Sequence, residues 1–274
     1  MAELIIVFRE VLEASLIIGI LYTYFQKNEN TQALKQLWQG VNSALIASIL
    51  GAVLFQMTFG GFTGQAEKLF EGIVMIVASL ILATMIIWMV KNQNIASEIK
   101  EKAEESLNKD KFGIGVFLLA FISVFREGIE TILFLYGVLV KEGNISIVLS
   151  LIGAFLGLAV GYAIFVKGRK MPLKTFFNVS SILLIFVASG MLAYGVHELE
   201  SYGLFTDYGR IWNINPALNP DGSYPLLHDK GAIGSLLKGL FGYNGDPSLI
   251  EFLAWLGSLS GFFYLYNKNK PQSV

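Results

Sequence analysis

The sequence predicts an all-α polytopic membrane protein: seven transmembrane helices, built as a 3+3 inverted repeat plus a seventh helix. Three observations lead there. The chain of 274 residues is 54% hydrophobic and only 15% charged, with a mean hydropathy of +0.59. Seven apolar runs approach the roughly 20 residues that cross a hydrocarbon core of about 30 Å. The tetrad Arg-Glu-x-x-Glu occurs twice, each time inside such a run: Arg9-Glu10-Val11-Leu12-Glu13 and Arg126-Glu127-Gly128-Ile129-Glu130.

The runs lie near 4–25, 38–59, 70–90, 113–140, 144–166, 173–195 and 248–266. The first begins after Glu3 rather than a basic segment, so a retained helix is expected there rather than a cleaved signal peptide. The second carries small residues at every fourth position, Ser43, Ala47 and Gly51, and the fifth does the same with Gly153, Gly157 and Gly161. Such stripes let helix backbones approach closely in lipid, and plain packing is their expected role. The first three spans (1–90) form one repeat unit and the next three (112–196) a second. Between them, 91–111 is a charged linker whose Glu98-Ile-Lys-Glu-Lys-Ala-Glu-Glu105 suits a short solvated helix. The segment 197–247 is long and rich in Gly, Pro, Asn and Tyr. Its aromatic residues, among them Trp212, Tyr208, Tyr224, Phe241 and Tyr243, favour a folded cap over a loose loop. The last unit, 248–274, holds the seventh span and a short tail.

Loop charge sets the expected orientation. One set of span ends carries Lys27, Lys35, Lys91, Lys100, Lys102, Lys109, Lys111, Lys167, Arg169, Lys170, Lys174, Lys268 and Lys270. The other carries Lys68, Lys141, Arg210, Lys230 and Lys238. The richer side is taken as the inside, which puts the N-terminus outside and the C-terminus in the cytoplasm. Three spans per unit is an odd number, so the second unit enters upside down relative to the first. A site at the shared midplane of two inverted units is a recurring transporter plan.

A charge at mid-membrane costs about 2.5–3.5 kcal/mol on insertion scales. Six of them in two matched sets call for a function. Glu10 and Glu13 are three apart and share a helix face, while Arg9 is four from Glu13 and reaches its carboxylate. Each tetrad keeps one net negative charge. Two facing tetrads place Glu10, Glu13, Glu127 and Glu130 around a cation, with Arg9 and Arg126 balancing charge. All-carboxylate ligation favours hard multivalent cations and by itself does not separate iron from manganese, magnesium or calcium. A salt-bridge network that only fixes packing is the structural alternative, but four carboxylates against two arginines leave an excess it would not want. With no Cys, the chain has no thiolate ligand and no disulfide.

These residues resemble the oxidase-dependent iron permease family, whose members carry Arg-Glu-x-x-Glu on the first and fourth of seven membrane helices. Phe-Arg-Glu-Gly-Ile-Glu at 125–130 fits, as do Tyr-Gly-Val-His-Glu-Leu at 194–199 and Gly-Ser-Leu-Leu-Lys-Gly-Leu-Phe-Gly-Tyr-Asn-Gly-Asp-Pro-Ser-Leu at 234–249. The resemblance spans essentially the whole chain. It implies high-affinity iron uptake across the plasma (inner) membrane, with iron as transported substrate and no permanent cofactor. It also implies a partner on the outer side: a separate iron oxidase or peroxidase, or an iron-binding protein. The lipid bilayer is the other partner, and no nucleic acid is expected. No phosphate-binding Gly-x-x-x-x-Gly-Lys-Ser/Thr loop is present, so direct ATP drive is not expected. The chain is not expected to be an enzyme. Two readings stand beside the permease. One is an ion-coupled secondary transporter of another solute or metal, such as manganese or lead. The other is an intramembrane metalloenzyme, which would want a His or Cys at the depth of the tetrads.

Further polar residues gather at the outer ends of the third and sixth spans. Glu71, with Glu67 and Lys68 nearby, and His197, Glu198 and Glu200 form a candidate outer vestibule that hands iron inward. Solvated helix ends are the plainer reading of the same residues. His228-Asp229 in the cap is a weaker candidate, and Tyr22, Tyr136 and Tyr162 read as interfacial or packing residues.

Overall fold

The computed structural model describes residues 2–59, 64–91, 95–108, 114–165, 173–206, 208–215, 218–220 and 222–270, without the side chains of 59, 89, 91, 95–98, 107–108, 142 and 173–177. Lys109, Lys111, Lys167, Arg169 and Lys170, which entered the loop-charge count, lie outside these residues. The described residues form nine helices. They are α1 (Ala2–Lys27), α2 (Thr31–Phe59), α3 (Gln65–Lys91), α4 (Ile95–Asn108), α5 (Gly115–Glu142), α6 (Ile147–Phe165), α7 (Leu173–Tyr202), α8 (Ala232–Phe241) and α9 (Leu249–Asn269).

Five of them, α2, α3, α6, α7 and α9, are long and apolar enough to cross a membrane. The tetrad helices α1 and α5 run to 26 and 28 residues, so length does not set them apart; their buried charges do. The outward faces of α2 and α6 are apolar along their length, with Ile49, Leu54 and Met57 on one and Val148, Leu151 and Phe155 on the other all more than half exposed. Large contiguous apolar surface of this kind needs a nonaqueous neighbour, and lipid supplies it.

The helices pack in crossed pairs: α1 along α6, α2 along α5, and α3 along α7, with α1 against α5 at the centre. Glycine sets the first of these. A Cβ on Gly153, Gly157 or Gly161 would meet, in turn, the Leu4 carbonyl, the Phe8 carbonyl and Ser15, so α6 lies backbone to backbone on α1. The stripe expected on α2 is looser. Gly51 has only Ile132 within reach, at 3.9 Å, and α2 makes its closest approaches to α5 through Gly40, near the Phe117 carbonyl, and through Ser48 against Gly128.

Two apolar clusters flank the centre. One joins Ile6 of α1, Met75, Leu82 and Ile86 of α3, Phe134 of α5 and Leu184 of α7. The other joins Leu21 and Phe25 of α1, Leu37 and Ala44 of α2, and Val116 and Ala120 of α5. Helices α1 and α5 enter both, one through each half, and their tetrads fall in between.

Helix α4 occupies the charged linker. The short helix expected there is present, but it is not solvated all round: Ile99 and Ala103, four apart, are buried in the second cluster. Helix α7 runs seven residues past its expected end. Nothing from 196 to 202 breaks a helix, and Leu199 packs so closely on Gly72 of α3 that a Cβ there would sit 2.8 Å from its side chain. The helix stops at Gly203, which takes φ 97°. His197, Glu198 and Glu200 are therefore helical rather than part of the cap.

The cap is folded. Asn215 donates to Asp246 (2.6 Å), Gly245 N–H to Asp229 (2.7 Å) and the Trp212 indole to the Asn244 carbonyl (3.1 Å). Helix α8 ends at Gly242, whose φ of 73° supplies its left-handed cap. There it meets α7: a side chain on Gly190 would collide with the Gly242 Cα. Lys141 of α5 donates to the Lys238 carbonyl (2.6 Å), placing a cation on the last turn of α8 where carbonyls lack helical partners.

Candidate metal site between α1 and α5

Each tetrad forms its own ion pairs by helix spacing. The Arg9 Nε reaches Glu13 at 2.9 Å across one turn, and its Nη1 reaches Glu10 at 3.2 Å. The Arg126 Nε reaches Glu130 at 2.9 Å across one turn and Glu127 at 3.8 Å. All four carboxylates are buried, from 1% exposed at Glu10 to 9% at Glu130.

Across the helix pair, carboxylate oxygens of Glu10, Glu127 and Glu130 lie within 4.8 Å of one another. Glu10 and Glu127 stand at hydrogen-bond range of each other. Glu13 looks across to Glu130 and Arg126. One oxygen on each of Glu10, Glu127 and Glu130 has no hydrogen-bond donor. Three carboxylates gathered this closely repel one another when ionised, and a hard cation with oxygen ligands at about 2.0–2.6 Å resolves that repulsion.

The two arginines differ. Arg9 is fully buried, whereas the Arg126 side chain is 48% exposed. Arg126 opens onto a cavity of about 320 Å³ that runs from Glu127 and Ser123 past Leu21 and Trp88 to Ile99 and Lys102 of α4. Its guanidinium rests over the Trp88 ring, 5.5 Å from the centroid.

The residues expected to form an outer vestibule divide into two groups on adjoining faces of α7. Glu198 pairs with the Tyr194 hydroxyl and faces α3, where Glu71 senses it and Glu67. His197 and Glu200 face α9 instead. His197 Nδ1 approaches Glu251 at 3.3 Å, and Glu200 accepts a short hydrogen bond from the Ser248 hydroxyl. Glu251 escaped the sequence reading because a Glu in the first turn of a helix is ordinary. The Ser248-x-x-Glu251 spacing even looks like a simple capping box. Lys68, beside Glu67, donates to the Ser201 carbonyl at 3.4 Å and ties α3 to the end of α7. His228 is structural: it is buried, accepts from Lys230 N–H at 3.0 Å and lies on the Tyr224 ring.

A helical membrane protein with a buried carboxylate cluster between two tetrad helices belongs among metal-ion transporters more readily than among packing scaffolds. Comparison with known proteins is specific: residues 1–268 match the iron permease FTR1 family, and the chain belongs to that family. A ferrous iron permease EfeU of Escherichia coli is 30% identical over 92% of this chain and 89% of its own. The EfeU of Yersinia pestis is 31% identical over 90% of this chain and 86% of its own. An uncharacterized protein of Archaeoglobus fulgidus is 31% identical over 98% of this chain and 95% of its own. No solved structure matches.

Proposed function

We propose that this chain is a high-affinity iron permease that moves iron into the cell across the plasma membrane, fed by a separate iron oxidase on the outer side. The convergence of Glu10, Glu127 and Glu130 across the α1–α5 contact carries this reading. Four carboxylates against two arginines leave a net charge near −2 at the centre. In an apolar surround that excess favours a multivalent cation over an empty cage.

Seven helices cross the bilayer in this proposal, α1–α3 and α5–α7 as inverted units and α9 outside them. The packing supports the inverted repeat: exchanging the units turns the α1–α6 pair into α5–α2 and returns α3–α7 and α1–α5 to themselves. The N-terminus lies outside and the C-terminus in the cytoplasm, following the loop charge. Iron approaches from the cap side, past Glu198 and Glu71 on one face of α7 or His197 and Glu200 on the other. It then enters the cage of Glu10, Glu13, Glu127 and Glu130.

The arginines have different tasks. Arg9, sealed on all sides, holds Glu13 and Glu10 in place and keeps the cage from carrying four unopposed charges. Arg126 faces the cavity on the α4 side. Its guanidinium can draw a carboxylate away from the ion as the ion leaves by that cavity.

The test is uptake by purified protein in liposomes, comparing iron(II), iron(III), manganese(II) and lead(II). Iron uptake lost in Glu10→Gln and Glu127→Gln supports the reading. Unaltered uptake in both, at normal abundance, would falsify it and favour a packing network.

A further inference from the structure

The cap-side ends of α7 and α9 hold a buried polar group that the central cage does not use. Glu251 is the third residue of α9 and only 4% exposed. Ser248 caps the helix, accepting from Glu251 N–H at 3.1 Å. In a Ser-x-x-Glu start, the Glu side chain ordinarily folds back toward the backbone N–H of the cap residue. Glu251 turns instead into the protein. Its Oε1 accepts from the Asn244 side-chain amide at 2.7 Å, and its Oε2 comes within 3.3 Å of His197 Nδ1.

Both Glu251 Oε2 and His197 Nδ1 are buried, and neither has a well-formed hydrogen bond from any other group. Nitrogen and oxygen ligands each about 2.1 Å from one shared ion stand about 3.3 Å apart when the two bonds meet at about 105°.

The surroundings suit an ion as well. The pair borders a polar cavity of about 210 Å³ that also reaches Tyr194, Asn244 and Asp246, with room for water to complete a coordination sphere. Three basic groups line the same cavity, each held by an oxygen of the protein. Lys238 pairs with Asp229 (3.2 Å), Lys141 donates to the Lys238 carbonyl (2.6 Å) and Arg210 to the Asp246 carbonyl (2.8 Å).

We propose that His197 and Glu251 form a second cation site, on the cap side, for a divalent first-row transition metal. Mixed imidazole and carboxylate donors suit these metals, whereas the all-carboxylate centre takes harder ions. The Asn244 amide holds the carboxylate by one oxygen, Oε1, and leaves Oε2 for the ion. The role as capture point for transport rests on the permease reading; occupancy of the site does not.

The experiment uses the full-length protein in lipid nanodiscs, with Co²⁺ as the probe, followed by equilibrium binding and visible absorption. The central cage is silenced by Glu10→Gln, Glu127→Gln and Glu130→Gln together. The silenced protein is expected to retain one equivalent of Co²⁺ with the absorption bands of a nitrogen-ligated ion. Adding His197→Gln or Glu251→Gln should remove those bands and weaken the remaining affinity by about tenfold or more. Glu251→Gln can still accept from Asn244, so it separates lost ligation from lost folding, and an unchanged melting temperature checks this.

If the silenced protein binds no Co²⁺, or binds it equally well with His197→Gln, the proposal is overturned and the pair is a simple ion pair. If the unsilenced protein binds Co²⁺ only through His197 and Glu251, this site stands and the central-cage reading fails.

Discussion

The two tetrads share one sequence and one internal ion-pair geometry, yet they sit in unlike surroundings. Arg9 and Arg126 each reach the glutamate four residues on at 2.9 Å. Around Arg9 there is no solvent: its side chain is fully buried beside Glu10 and Glu13. Around Arg126 there is a cavity, bounded by Leu21, Trp88 and the Ile99 and Lys102 of α4. Under the permease proposal the two motifs divide the work: the sealed copy anchors the cage, and the open copy gives the ion a way out.

The largest expected effect belongs to the carboxylates both copies contribute to the cluster. Gln preserves shape and removes charge, and losing a charged partner costs about 1.5–3 kcal/mol. Glu10→Gln and Glu127→Gln should each lower iron binding by about 10- to 100-fold and bring liposome uptake close to zero. Glu13, held by Arg9 and set apart from the three converging oxygens, should matter less for binding. A larger loss at Glu13 than at Glu10 in isothermal titration would mean the cage is built differently from the distances observed here.

The arginines should separate stability from transport. Breaking a buried ion pair by removing one partner costs about 3–5 kcal/mol, and Lys offers one compact charge where Arg9 serves two carboxylates. Arg9→Lys should lower the melting temperature and the amount of protein recovered from membranes. Arg126→Lys, half in solvent, should leave both near normal while slowing uptake. Equal melting temperatures for the two variants would erase the contrast between sealed and open copies.

Packing should follow the same contrast. Gly157→Ala puts a methyl within 3.0 Å of the Phe8 carbonyl and Val11, an overpacking of about 1–3 kcal/mol. Gly51→Ala meets only Ile132 at 3.9 Å and gains helix propensity, so it should be neutral or stabilising by about 0.5–1 kcal/mol. Thermal unfolding in detergent compares the two; a more stable Gly157→Ala would show that the α1–α6 seam is slack.

Much of this arrangement could be read from the chain. The i, i+3 and i, i+4 spacing of each tetrad dictates the pairs Arg9–Glu13 and Arg126–Glu130 before any packing is known. The glycines of α6 were legible as a close-packing stripe because three fall at one helical spacing. What stayed hidden depends on partners distant in sequence. Gly72 allows Leu199 to carry α7 on to Tyr202, and no local signal reports that. The apolar pair Ile99 and Ala103 is outnumbered by charge in the linker, so its burial shows only once α1 and α5 are beside it. Glu251 finds His197 across 54 positions through a cap whose fold the local sequence does not specify.

The smallest effect should come from Trp88. Its ring holds the Arg126 guanidinium at 5.5 Å from the centroid, a contact worth about 0.5–1 kcal/mol at a partly exposed site. Without it, Arg126 has freedom to swing from Glu130 toward Glu127, 3.8 Å from its Nε, and to offset a charge that the cation otherwise uses. Trp88→Leu should therefore weaken iron binding by about two- to fivefold without changing its stoichiometry. In Arg126→Lys, whose ammonium stacks less well, the same substitution should add little. A full effect of Trp88→Leu in that background would show that the tryptophan acts by shaping the cavity wall rather than by holding the arginine.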